Sequence, residues 1–150
     1  MPQGTLQSPQ VPDKISASMK PFASRWLRQA EADLKAARDS LQDSNYEWSC
    51  FQSQQAAEKA LKAYLYEKGY TSIMTHLLKE LVFECEKHDR VFSTVMSDAK
   101  HLDMHYISTR YPNGLGGNLT PSEFYEEEDA QRCVSCAESI LKIVKQLLSE

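Results

Sequence analysis

The stretch Cys50-Phe51-Gln52-Ser53-Gln54-Gln55-Ala56-Ala57-Glu58-Lys59-Ala60-Leu61-Lys62-Ala63-Tyr64-Leu65 decides the fold. It lacks Gly and Pro and is built from strong helix formers. Its Gln, Glu and Lys residues lie inside a frame of small and apolar ones. A helix resting on a protein surface would segregate that polarity onto one solvated face. Small residues let neighbouring helices approach closely, so the polar set lies near a helix–helix contact, where it can line a groove. The spacing predicts a helix over about 46–68, stopped at Gly69 by a glycine in the C′ position.

The same periodicity extends outward. Trp26, Ala30, Leu34, Ala37 and Leu41 recur at three- and four-residue steps and predict a helix over 22–42, with Ser24 as the candidate cap of its start. A third helix is expected from His76, carrying Leu77, Leu78, Leu81, Val82 and Cys85, and a fourth over 90–108, with Val91, Val95, Leu102 and Tyr106 inward. Arg110-Tyr111-Pro112-Asn113-Gly114-Leu115-Gly116-Gly117-Asn118 must break that helix. Thr120-Pro121-Ser122-Glu123 reads as a capping box opening a last helix to about 148, along the stripe Ala130, Cys133, Val134, Ala137, Ile140, Leu141, Val144 and Leu148. No alternating strand pattern appears. The expected architecture is all-α, an antiparallel bundle of four to five helices over 22–150. Residues 1–21, rich in Pro, Gln, Ser and Gly, read as a flexible leader or interdomain linker.

Composition narrows function by exclusion. A net charge of −4 argues against general nucleic-acid binding. No apolar run reaches bilayer-spanning length, and the start does not read as a secretory signal, so a cytoplasmic protein without membrane contact is expected. Cys50, Cys85, Cys133 and Cys136 then read as reduced thiols. Cys133-x-x-Cys136 has no second closely spaced pair, and His101 and His105, an i, i+4 pair, lack a His-Glu-x-x-His pattern; no metal site and no cofactor are expected.

Four positions are candidates for anion binding. Arg110, followed by Tyr111 and a rigid turn, can contact a phosphate or cap the carbonyls of the preceding helix. Lys59 and Lys62 share a helix face; they can hold an anion or pair with Glu58 on a solvated surface. His76 opens a helix, where free N–H groups favour anions, and can bond a ligand or serve as a cap. There is no phosphate-binding glycine loop, dinucleotide fingerprint or nucleophile elbow.

Together these pieces resemble the HEPN domain family. The resemblance rests on Arg25-Trp26-Leu27-x-x-Ala30-x-x-Asp33-Leu34-x-x-Ala37, on Cys50-Phe51-x-x-Gln54-Gln55-Ala56-Ala57-Glu58-Lys59-Ala60-Leu61-Lys62-Ala63, on His76-x-Leu78, on Arg110-Tyr111-Pro112 and on the helix from Glu128-Asp129-Ala130 through Ala137 and Ile140. It implies a dimerising helical bundle of one of two kinds: metal-independent ribonucleases, marked by Arg, four to six intervening residues and then His, or non-catalytic nucleotide-binding modules and nucleotidyltransferase partners. Counting from Arg110, Leu115, Gly116 and Gly117 stand where the His would be. The resemblance therefore implies a module that is not an enzyme. It would be a homodimer binding GTP or ATP in a basic cavity formed by Lys59, Lys62, His76 and Arg110, with Tyr111 as a stacking surface. A chaperone-related branch of the family further implies an upstream domain, such as a J-domain, and an Hsp70 system as partner. The alternatives are a dimerisation scaffold without a ligand, its acidic stretch Glu123 to Asp129 facing a partner, and a ribonuclease using another histidine, such as His105.

Overall fold

The structure, a computed structural model, describes residues 19–149. The leader expected at 1–21 falls almost wholly outside them. Six α-helices follow: α1 (Pro21–Gln42), α2 (Tyr46–Glu67), α3 (Leu78–Glu86), α4 (Met96–Asp103), α5 (Pro121–Phe124) and α6 (Glu127–Leu148). Short 3-10 helices span Arg90–Val95 and Pro112–Gly114. No strand occurs among the described residues. The all-α bundle is as expected.

α2 is the central rod. It packs chiefly on α1 and α6, while α3 and α4 close its far side. Ala56, Ala57, Ala60 and Ala63 are fully buried, and so is Leu61. A helix that meets neighbours on nearly every side needs small side chains along its length, and this explains the alanine frame. The core continues through Leu65, Leu78, Leu81, Phe92, Leu102, Ile140 and Val144. Tyr64 meets Phe92 edge-on, with ring centroids 4.7 Å apart.

Two helix ends use the same device. After α2, Gly69 adopts φ 102°, its N–H donates to the Tyr66 carbonyl, and that of Tyr70 donates to the Leu65 carbonyl. This is the Schellman pattern that Gly69 leads one to expect. After α1 the same bonds run from Ser44 to Leu41 and from Asn45 to Ser40, but Ser44 takes the left-handed φ of 65° without a glycine.

Three boundaries differ from expectation. The fourth helix is split: Asp89 caps a 3-10 segment by accepting from the Val91 N–H, and α4 begins only at Met96. α3 begins at Leu78 rather than His76, because the Asp103 carboxylate accepts from the Leu78 and Lys79 N–H groups at 2.8 and 3.0 Å. The last helix is also split. Thr120 and Glu123 form the expected capping box, but the helix lasts one turn. Tyr125 then turns extended and buried, and a second capping box, Glu126 with Asp129, opens α6. The acidic block thus contributes a cap as well as a solvated surface.

Candidate functional site

The candidate site residues gather along one stripe of α2: Phe51, Gln55, Glu58 and Lys62, spaced three and four residues apart. Its two ends differ in chemistry.

At the first end sits Arg110. Successive turns after α4 bring residues 104–111 back over the start of α2. Gly114 holds this return: a Cβ there would lie 2.9 Å from the Ser108 Cα. The Arg110 guanidinium rests among three rings, 4.6 Å from the Phe51 centroid, 4.7 Å from Tyr106 and 5.3 Å from Tyr111. Its Nε donates to the Tyr106 carbonyl at 3.2 Å, so one edge of the fork caps the preceding turn. No carboxylate pairs with it among the described residues. Trp48, Ile107 and Tyr111 around it are about half exposed.

At the other end the charges are paired. Lys62, only 4% exposed, donates to the Glu58 carboxylate at 2.9 Å, and Glu58 is 6% exposed. Trp26 lies over the Lys62 ammonium at 5.8 Å. Lys59 is bound to Asp33 of α1 at 2.5 Å. The two lysines are engaged within the fold rather than offered as a basic wall. His76 completes this end: its Nδ1 lies 2.8 Å from the same Glu58 oxygen that Lys62 holds. A carboxylate at that distance fixes the proton on Nδ1 and leaves Nε2 as the free nitrogen. The His76 side chain is 60% exposed. Gln54 supports the pair by reaching the His76 carbonyl and Glu58, each at 3.4 Å.

The structure therefore separates the expected cavity residues into two groups, Arg110 with Tyr111 and His76 with Lys59 and Lys62. Phe51, against which Arg110 rests, and Glu58, which holds Lys62 and His76, stand about 10 Å apart along α2, two helical turns. The Glu58–His76 pair was missed by the sequence reading, which treated Glu58 only as a lysine partner. The anion-favouring N–H groups near His76 are those capped by Asp103. His105, the alternative ribonuclease histidine, turns away from the Arg110 face: its Nδ1 lies 2.9 Å from the Tyr125 hydroxyl, and its Nε2 is sealed from solvent. Burial lowers the pKa of both His101 and His105, which favours neutral rings. Bonding to Cys50, then burial, pushes the Cys133 thiol well up.

An all-helical bundle with an arginine held in aromatic rings over its central helix defines the class of protein. The HEPN domain family model matches residues 23–147, and the chain belongs to that family. Among solved structures it is similar to TT1696 from Thermus thermophilus (TM-score 0.79, 32% identity, 85% of this chain and 98% of that one). It is also similar to ST0689, described as an archaeal HEPN homologue (TM-score 0.70, 35% identity, 84% and 97%). "Putative toxin MJ1304" of Methanocaldococcus jannaschii is 30% identical over 136 residues, 86% of this chain and 90% of that protein. Human sacsin is 30% identical over 122 residues, 79% of this chain but 3% of sacsin.

One expectation is corrected here. The absent histidine after Arg110 was read as excluding an enzyme. A relative aligned along most of both chains carries a toxin's name, and that overturns the exclusion. A motif count along the sequence sees only a histidine that follows the arginine. It does not see His76, which precedes Arg110 in the chain and lies along the same helix in space. Among the described residues no helix is long and apolar enough to cross a membrane.

Proposed function

We infer that the α2 stripe is a ribonucleotide-phosphate site and that the chain acts on RNA through it. The observation that carries this reading is Arg110: it is the one cation of the expected set with no carboxylate partner among the described residues, and it lies among aromatic rings. A planar fork suits a phosphate, and exposed Tyr111 offers a stacking surface to a base. The Glu58–His76 pair supplies proton transfer. His76 Nε2 would take the proton of a ribose 2′-hydroxyl, the oxygen would attack the adjacent phosphorus to form a 2′,3′-cyclic phosphate, and the 5′-oxygen would leave with the proton that His76 gives back. Kinship with a toxin-named protein supports an activity of this kind. GTP and ATP present the same phosphate and base chemistry and are the simplest ligands with which to occupy the site.

The test uses a short single-stranded RNA, GTP and ATP, in chelator. Wild type should bind them and cleave the RNA. Arg110→Ala should weaken binding at least tenfold, and His76→Gln should slow cleavage about a hundredfold while binding persists. No binding by wild type, or equal binding by Arg110→Ala, would overturn the reading. Binding of all three without cleavage would remove the enzymatic half.

A second reading, a homodimer built on this face, is favoured by the exposed apolar groups Trp48, Ile107 and Tyr111 around Arg110. A twofold axis there would bring two arginines to one ligand. Sedimentation of wild type and Trp48→Glu tests it: a dimer made monomeric by the charge supports it, and a monomeric wild type rejects it.

A further inference from the structure

On the inner side of the segment that carries Arg110 lies a cluster the proposed function does not use. His101 lies in the last turn of α4, His105 follows one turn later, and Cys133 enters from α6. Their ligand atoms, the His nitrogens and the Cys133 Sγ, all lie within 4.8 Å of one another. The rings meet edge-on, centroids 4.9 Å apart. Nε2 of His101 and Nε2 of His105 are both buried and have no hydrogen-bond partner. Buried ring nitrogens are normally satisfied, and leaving one unpaired costs about 1–3 kcal/mol. Two such atoms, on rings whose ligand nitrogens lie this close to one thiol, call for a common partner.

We propose that His101, His105 and Cys133 form a binding site for a borderline-soft divalent metal ion of the zinc class. Two imidazoles and a thiolate suit that class, and carboxylate-preferring magnesium or calcium does not match them. Metal–ligand lengths near 2.0 Å for nitrogen and 2.3 Å for sulfur set donors roughly 3.3–3.8 Å apart in a tetrahedron. Side-chain rotations of about an ångström close the present spacing to that value. The outer shell is already built. The His105 Nδ1 faces the Tyr125 hydroxyl at 2.9 Å, which meets the Ser108 hydroxyl at 2.5 Å. A donor on Nδ1 orients Nε2 as the ligand. Cys133 binds as a thiolate, so metal entry releases its proton to solvent and forms one metal–sulfur bond. The ion would tie the turn after α4 to α6 and so fix the base of the loop bearing Arg110. This site stands independently of the ribonucleotide reading.

The full chain, stripped by chelator and dialysed, is titrated with Zn²⁺ and with Co²⁺ as the spectroscopic probe. One equivalent should bind. Co²⁺ should give thiolate charge-transfer absorption with tetrahedral visible bands, and Zn²⁺ should raise Tm with release of a proton. Cys133→Ser and His101→Gln should each weaken binding more than tenfold, and Tyr125→Phe about tenfold, while Cys136→Ser leaves it unchanged. No cobalt–thiolate absorption in wild type overturns the site, as does binding that survives His101→Gln. Should Cys133→Ser fail to fold, X-ray absorption on the wild-type complex decides: one sulfur with two nitrogens supports the site, and an all-sulfur shell overturns it.

Discussion

Lys62 and Arg110 stand at opposite ends of one stripe of α2 and were read in the sequence as members of a single basic cavity. The fold treats them differently. Lys62 is buried against Glu58 and Trp26, an ammonium whose charge is used up inside the protein. Arg110 is held by rings and one carbonyl, and its remaining N–H groups make no further bond among the described residues. A lysine at helical spacing from a glutamate pairs with it readily. An arginine on a turn beyond a helix end has no such local partner and keeps its charge for something else. The lesson is that pairing, rather than sign of charge, separates a structural cation from a binding one.

The contrast can be broken at several points. The largest effect is expected at Lys62. Lys62→Met leaves the Glu58 carboxylate buried with only His76 and the Gln54 amide beside it, and should destabilise by about 3–5 kcal/mol in chemical denaturation. Lys59→Ala, at a partly exposed pair, should cost under about 1 kcal/mol. Arg110→Ala should reverse that order: little loss of stability, but at least a tenfold loss of phosphate binding by calorimetry. A Lys62 variant that folds normally and loses only ligand would undo the comparison.

Smaller effects sharpen the frame around the site. Gly114→Ala should destabilise by about 1–3 kcal/mol, since its methyl would meet the Ser108 backbone. Ser44→Gly should stabilise by up to about 1 kcal/mol, because Ser44 already adopts the left-handed conformation that glycine takes without a steric cost. Burial, followed by Lys68, lowers the His88 pKa below its ordinary 6.5, against an opposing pull from Glu84. The folded state thus resists protonation that the unfolded chain accepts. The His88 contribution is present above about pH 6.5 and lost as pH falls below it. Stability measured from pH 8 to 5 should fall less steeply in His88→Gln than in wild type.

Much of the frame was legible because helical periodicity and caps are local. The alanine run of α2, the α1 stripe and the Thr120 box each announce themselves within a few residues. The split of the last helix was not, because Tyr125 leaves helical geometry for a long-range hydroxyl contact with His105 and Ser108. The late start of α3 has the same origin in Asp103. In the site, Arg110 and Tyr111 were found from their turn, whereas the Glu58–His76 pair joins α2 to a loop 18 residues on, a separation no spacing rule covers. Cys133 was weighed with its sequence neighbour Cys136, but the structure sets it beside the His101 and His105 rings.

The most direct measurement of the central claim is calorimetric titration of a short single-stranded RNA, in chelator, into wild type, Arg110→Ala and Lys62→Met, each checked for folding. Saturable heat from wild type, lost with Arg110→Ala and kept by folded Lys62→Met, is the expected result. Equal heats from wild type and Arg110→Ala, or none from wild type, would contradict the assignment of Arg110 as the phosphate-binding cation.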